Sequence, residues 1–148
     1  MRKVLLPVDG SDSAFQAALY LVEFVRQHDP LEVHVVNVQP KPVEWQTRGM
    51  EKDAINDQLA AEAHLAMKPI LQILNEEEIP HQTHVKLGDP AETLAALAEE
   101  LGCDHIVMGT RGLGAISGMV LGSVTRKVLH LTKVPVLCIK GSASHSIR

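Results

Sequence analysis

The chain has 148 residues, 45% hydrophobic and 22% charged, with 10 Gly, 8 Pro and only 2 Cys. That length suits one domain and buries roughly 68–70% of the unfolded surface, enough for a core without metal or disulfide staples. Lys+Arg 14 against Asp+Glu 18 leaves a net charge of −4 with no basic tract, which argues against a nucleic-acid partner held mainly by phosphate neutralisation. Cys103 and Cys138 are isolated, with no C-x-x-C spacing, so neither a zinc ribbon nor a disulfide scaffold is indicated. The basic start Met1-Arg2-Lys3 leads into an apolar run at 4–8 that contains Pro7 and stops at Asp9, short of the roughly 7–15 residues a secretory h-region needs. No apolar run approaches the roughly 18 residues of a membrane span. The expectation is a soluble, cytoplasmic single domain at 1–140, with a flexible tail at 141–148.

Short apolar runs alternate with longer amphipathic stretches. Residues 4–8 are continuously apolar, as expected of a strand buried on both faces of a parallel sheet. From Ser11, apolar residues recur at Ala14, Ala17, Ala18, Leu21, Val22 and Val25; this is helical spacing, with Ser11 or Ser13 as the cap. A second, Val-rich strand follows at 33–38, then a loop with Pro40 and Pro42. A long helical stretch over 51–75 contains Pro69, which should kink or split it. The run Glu76-Glu77-Glu78 reads as a solvated helix end, and 81–87 as a weaker third strand.

Gly88-Asp89-Pro90-Ala91-Glu92 is the clearest local signal. Asp89 suits the N-cap, Pro90 the first helical position and Glu92 the capping-box position. Leu94, Leu97, Ala98 and Leu101 give that helix its inner face, and Gly102 a C-terminal stop. Residues 105–108 form strand four, 123–132 a helix and 134–139 strand five. Strand–helix units in series imply parallel pairing and right-handed crossovers, hence an α/β three-layer sandwich, Rossmann-like in plan, with a five-stranded parallel sheet.

Five of the ten glycines fall within residues 109–125, directly after strand four and leading into a helix. Glycine admits positive φ and lets a ligand approach the backbone; successive amides in such turns bind anions, and the next helix adds its positive end. Ser123 and Thr125 offer hydroxyls there, and Arg111 and Arg126 offer charge. The plain alternative is a flexible surface loop. Gly122 is followed by Ser123 rather than Lys, so a Walker A loop is excluded. Gly112-Leu113-Gly114 meets its third glycine at Gly118, one residue too late for a dinucleotide fingerprint.

What fits is G-x-x-G, nine residues, then G-[ST]: Gly109 and Gly112, residues 113–121, then Gly122-Ser123. With the opening Pro7-Val8-Asp9-Gly10-Ser11, Gly88-Asp89-Pro90, Asp104 before a strand and the closing Val134-Pro135-Val136-Leu137, nearly the whole chain resembles the ATP-binding branch of the universal stress protein family. The resemblance implies strand order 3-2-1-4-5 and ATP, with or without Mg²⁺, at the carboxyl ends of the strands. It places Pro7, Val8 and Asp9 beside the adenosine, with Asp9 near the ribose or a phosphate-bound metal. Val38 would face the adenine through its backbone, and Met108 and Gly109 would line the nucleoside. Arg111, Gly112, Gly122, Ser123, Val124 and Thr125 would wrap the phosphates. Open α/β sheets in general bind ligands where strand order reverses, which for the order the resemblance implies lies between strands one and four. Asp9 also reads as a cap for the first helix.

The resemblance further implies a homodimer paired through the last strand. Pro135 marks that strand as an edge, yet Val136, Leu137, Cys138 and Ile139 are too apolar to leave bare. The eight histidines show no ligand spacing, and His81 and His84 point to opposite faces of their strand. No G-x-S-x-G elbow surrounds Ser11 or Ser13. The expected function is an ATP-binding stress-response module whose occupancy modulates its interactions with further protein partners. It has no dedicated catalytic residues and turns ATP over slowly at most. Two alternatives stand beside it. One is a nucleotide-independent dimeric interaction protein of the same family. The other is an ATP-pyrophosphatase-type enzyme, whose S-G-G-x-D-S loop is matched here only by Val8-Asp9-Gly10-Ser11-Asp12-Ser13.

Overall fold

The computed structural model describes residues 1–44, 48–110 and 121–141. Among the described residues, nine elements follow in chain order: β1 (Lys3–Pro7), α1 (Asp12–Gln27), β2 (Glu32–Gln39), α2 (Lys52–Glu76), β3 (His81–Leu87), α3 (Pro90–Glu100), β4 (His105–Gly109), α4 (Ser123–Leu131) and β5 (Val136–Ile139). All described strand pairs are parallel, and the sheet runs β3-β2-β1-β4-β5. The α/β sandwich and strand order expected from the sequence are therefore those observed.

Successive strand residues point to opposite faces and feed two separate cores. Val4, Leu6, Val33, Val35 and Val107 pack with α1 and α2, whereas Leu5, Val36, Ile106 and Met108 pack with α3 and α4. The central strands are thus buried on both sides, which is why they read as unbroken apolar runs. The edge strand β3 is exposed along most of its length, with only His81 and His84 half-buried, so its sequence signal is weaker.

Helix α1 buries Ala14, Ala17, Ala18, Leu21 and Val22, one stripe at three- and four-residue spacing. Ser11 is its N-cap, accepting the Ala14 N–H at 3.2 Å. Asp9 instead accepts the Ser11 N–H at 2.9 Å, fixing the turn in which Gly10 takes φ +87°. Asp89 caps α3 by accepting the Glu92 N–H at 3.0 Å, with Pro90 at the first helical position. At the other end of α3, Cys103 N–H bonds Ala98 O and Gly102 N–H bonds Glu99 O. This is the paired closure that a left-handed residue allows, and Gly102 supplies it at φ +70°.

One expectation is corrected. Pro69 does not split the long helical stretch, and α2 continues unbroken from Lys52 to Glu76. The missing N–H deprives only the Leu65 carbonyl, and Leu65 and Pro69 both lie on the water side, where solvent takes the vacant acceptor. The core side of α2 carries Ala63, Met67, Ile70 and Leu74 across the same region. The strand ends also shift slightly, β1 closing at Pro7 and β5 opening at Val136.

Candidate functional site

Strand β1 stays in register with β2 as far as Pro7↔Val36, but with β4 only at Val4↔His105 and Leu5↔Ile106. Beyond Leu5 the two central strands part, and strand order reverses at this point. A crevice at the carboxyl ends of a parallel sheet is the outcome. It encloses about 590 Å³, solvent at its mouth included. Pro7, Val8 and Asp9 come from β1 and its turn, Val36 and Val38 from β2, and Met108 and Gly109 from β4. Ser11 and Ala14 of the first turn of α1, Pro90 and Leu94 of α3, and Val124 and Thr125 of α4 complete the walls.

Eight of the residues expected from the sequence therefore line one cleft: Pro7, Val8, Asp9, Val38, Met108, Gly109, Val124 and Thr125. Gly122 and Ser123 stand just outside it. Gly122 is the buried N-cap of α4 and Ser123 is exposed. Arg111 and Gly112 lie outside the described residues. Ser11, Ala14, Val36, Pro90 and Leu94 were missed. Val36 shares a strand face with Val38, so the period-two rule could have found it; Ala14, Pro90 and Leu94 enter only through helix packing.

Two of these residues also hold the fold together. Thr125 is 2% exposed, and its hydroxyl donates to the Gly109 carbonyl at 3.1 Å, so its proton ties α4 to β4 rather than standing ready for a ligand. Gly109 is glycine because of α1. A Cβ there would run into Ser13 Oγ and come within 2.6 Å of the Ser13 carbonyl carbon and oxygen. Gly122 takes φ −71°, open to any residue, so its backbone conformation does not itself require glycine.

The cleft walls are mostly aliphatic, which suits a flat apolar group. One end meets the first turn of α4, whose N-cap makes no side-chain hydrogen bond, and such a terminus favours an anion. Across the rim, Lys127 Nζ lies 3.2 Å from both oxygens of Asp89. The Glu92 N–H, and then the Lys127 ammonium, hold the Asp89 carboxylate below its ordinary range. Asp9 is the one carboxylate among the lining residues. No group of three or more metal-ligating side chains occurs among the described residues.

Away from the cleft, His34 meets His84, a contact that no local spacing signals. The β2–β3 register sets His34 opposite Gln82 and His84 opposite Val36. This brings His34 Nδ1 to 2.9 Å from His84 Nε2, while His34 Nε2 lies 2.7 Å from Glu32. No helix among the described residues is long and apolar enough to cross a membrane.

Comparison with known proteins agrees with this architecture. A profile of the Universal stress protein family matches residues 1–140. Universal stress protein MJ0531 of Methanocaldococcus jannaschii is 30% identical over 146 residues, covering 94% of this chain and 82% of that protein. A universal stress protein of Thermus aquaticus, encoded in the 3′ region of a QAH/OAS sulfhydrylase, is 32% identical over 142 residues, covering 94% and 98%. Among solved structures, the hypothetical protein MJ0577 superposes with a TM-score of 0.81 at 28% identity, covering 96% of this chain and 97% of that one. A family protein of Arabidopsis thaliana with AMP bound shares the fold at 19% identity and TM-score 0.73, covering 98% and 95%. By the profile match and by these relatives, the chain belongs to the universal stress protein family.

Proposed function

We propose that this family member binds ATP in the cleft between β1 and β4, one nucleotide per chain, and that occupancy alters the surface it offers to partners. The single observation that carries the reading is the meeting of two features. An apolar crevice opens at the strand-order reversal, and the first turn of α4, with glycine at its N-cap, stands at its end, directly after the G-x-x-G, nine-residue, G-S spacing. Val36, Val38, Leu94 and Met108 offer apolar surface to an adenine. The α4 terminus and the glycine-rich segment offer amides to phosphates. Arg111 and Gly112 belong to that segment by sequence. Mg²⁺ fits through Asp9 and phosphate oxygens, since this ion is commonly held by one or two carboxylates plus its nucleotide.

The same reading includes a homodimer in the cytoplasm. Strand β5 lies at the sheet edge, and Val136, Leu137, Cys138 and Ile139 are all only half-buried in the single chain. A second copy would cover this apolar edge.

The test is calorimetric titration of nucleotide-stripped protein with ATP, with and without Mg²⁺. Saturable binding near one ATP per chain is expected, tighter with Mg²⁺. Replacement of buried Gly122 by Val should weaken it about tenfold or more without unfolding the chain. A folded Gly122→Val variant with unchanged affinity would refute the phosphate placement. No heat at several temperatures, with no shift in melting, would refute nucleotide binding itself.

A further inference from the structure

Val8 stands one residue beyond β1, and its two peptide groups are held in different ways. Its N–H donates to the Val36 carbonyl at 2.8 Å. With Pro7 opposite Val36, the next rung of a parallel ladder would bring the Val38 N–H to the Val8 carbonyl. That rung is not made. Asn37 Nδ2 donates to the Val8 carbonyl instead, at 2.8 Å.

Asn37 is 5% exposed and sits on the β2 face turned toward α2, opposite the face from which Val36 and Val38 line the cleft. It is not among the residues that line the cleft. Its Oδ1 accepts from Gln39 Nε2 at 2.9 Å, and the same nitrogen donates to the Leu59 carbonyl of α2 at 2.9 Å. The hydrogen-bond partners dictate both amide orientations. Turning Asn37 over would set oxygen against the Val8 carbonyl, and turning Gln39 over would set oxygen against two acceptors. The fold keeps this arrangement although Gln39 Oε1 is left buried and unpaired among the described residues. A planar peptide fixes its N–H side once its carbonyl is fixed. Holding the Val8 carbonyl therefore fixes how the chain enters the Asp9-Gly10-Ser11 turn at the cleft rim.

We propose that Asn37 is a positioning residue for the nucleotide, acting through the Val8 carbonyl, with Gln39 and α2 anchoring it from behind the sheet. The inference rests on the ATP reading of the cleft. Its test compares ATP titrations of the wild-type chain, Asn37→Asp and Asn37→Leu at pH 8 and pH 5.5. In Asn37→Asp the oxygen replacing Nδ2 can bond the Val8 carbonyl only when protonated, and burial raises a carboxyl pKa. Relative to wild type at the same pH, Asn37→Asp should bind about tenfold more weakly at pH 8, the loss of one buried hydrogen bond, and recover at pH 5.5. Asn37→Leu should be weak at both.

Wild-type affinity for both variants at both pH values overturns the proposal. So does an Asn37→Asp loss that does not recover at pH 5.5, since the protonated carboxyl again offers a donor to the Val8 carbonyl. If circular dichroism shows either variant unfolded, Gln39→Met, which removes only the anchor, decides the matter. A loss of about threefold is expected, and wild-type affinity overturns the proposal. A wild-type chain that binds no ATP refutes the reading of the cleft, and the role of Asn37 falls with it.

Discussion

Replacing Gly109 by alanine tests why glycine ends β4. The added Cβ would meet Ser13 Oγ, which can rotate away, and the Ser13 carbonyl carbon and oxygen at 2.6 Å, which cannot. Restoring ordinary contact near 3.6 Å requires α1 or β4 to move by about 1 Å. Helix α1 buries Ala14, Ala17, Ala18, Leu21 and Val22, so its first turns cannot retreat without opening the core. Overpacking costs about 1–3 kcal/mol when side chains absorb it; with backbone as the obstacle we expect about 3 kcal/mol. Urea unfolding followed by circular dichroism reads this as a lowered midpoint at unchanged slope. For a chain of this size the melting temperature should fall by about 6–12 °C. Gly102→Ala is the control. Its φ is +70° but nothing lies within 4 Å of the new Cβ, so backbone conformation alone should cost about 1 kcal/mol. Adding Ser13→Gly to Gly109→Ala should not rescue it, because the clash is with the Ser13 backbone. A Gly109→Ala chain as stable as Gly102→Ala would refute the argument.

Two further outcomes follow from contacts made by tertiary packing. Thr125→Val keeps the shape of a fully buried side chain but removes its bond to the Gly109 carbonyl, so thermal unfolding should show a loss of about 1 kcal/mol; an unchanged melting temperature would mean that bond contributes nothing. Burial, and then the neighbouring His34, hold His84 below its ordinary pKa of 6.5. Lys86 acts in the same direction and Glu100 against it. The unfolded chain then takes up the proton more readily, so His84 favours the fold above pH 6.5, and this advantage is lost as pH falls through 6.5 toward the lower folded value. The drop in melting temperature between pH 7.5 and 5.5 should shrink in His84→Gln, and an equal drop in both chains would contradict the account.

The α/β order was legible because each element announces itself over a few adjacent residues. Residues 4–8 are unbroken apolar, Ala14 to Val22 repeat at helical spacing, and Gly88-Asp89-Pro90 and Gly102 bound α3 by local backbone chemistry. The cleft was legible to the extent that its residues sit at strand ends. Pro7, Val8, Val38, Met108 and Gly109 follow from parallel strands and the reversal of their order, since every such strand ends on the same side of the sheet.

What tertiary structure decided was the purpose of individual groups. Gly109 and Thr125 line the cleft as the sequence suggests, but Ser13 of α1 also demands the glycine and the Gly109 carbonyl takes the Thr125 hydroxyl proton. Asn37, Gln39 and His34 carry no local signal at all. Their partners Val8, Leu59 and His84 lie 20 to 50 positions away, and polar residues within apolar strands reveal their reason only when a neighbouring strand or helix supplies it. Propensity and capping act between residues within one turn or one pleat, so the sequence by itself specifies the elements and their order. Hydrogen-bond satisfaction and steric exclusion act between elements, so only the packed molecule decides which side chains hold the cleft open and which are left to face it.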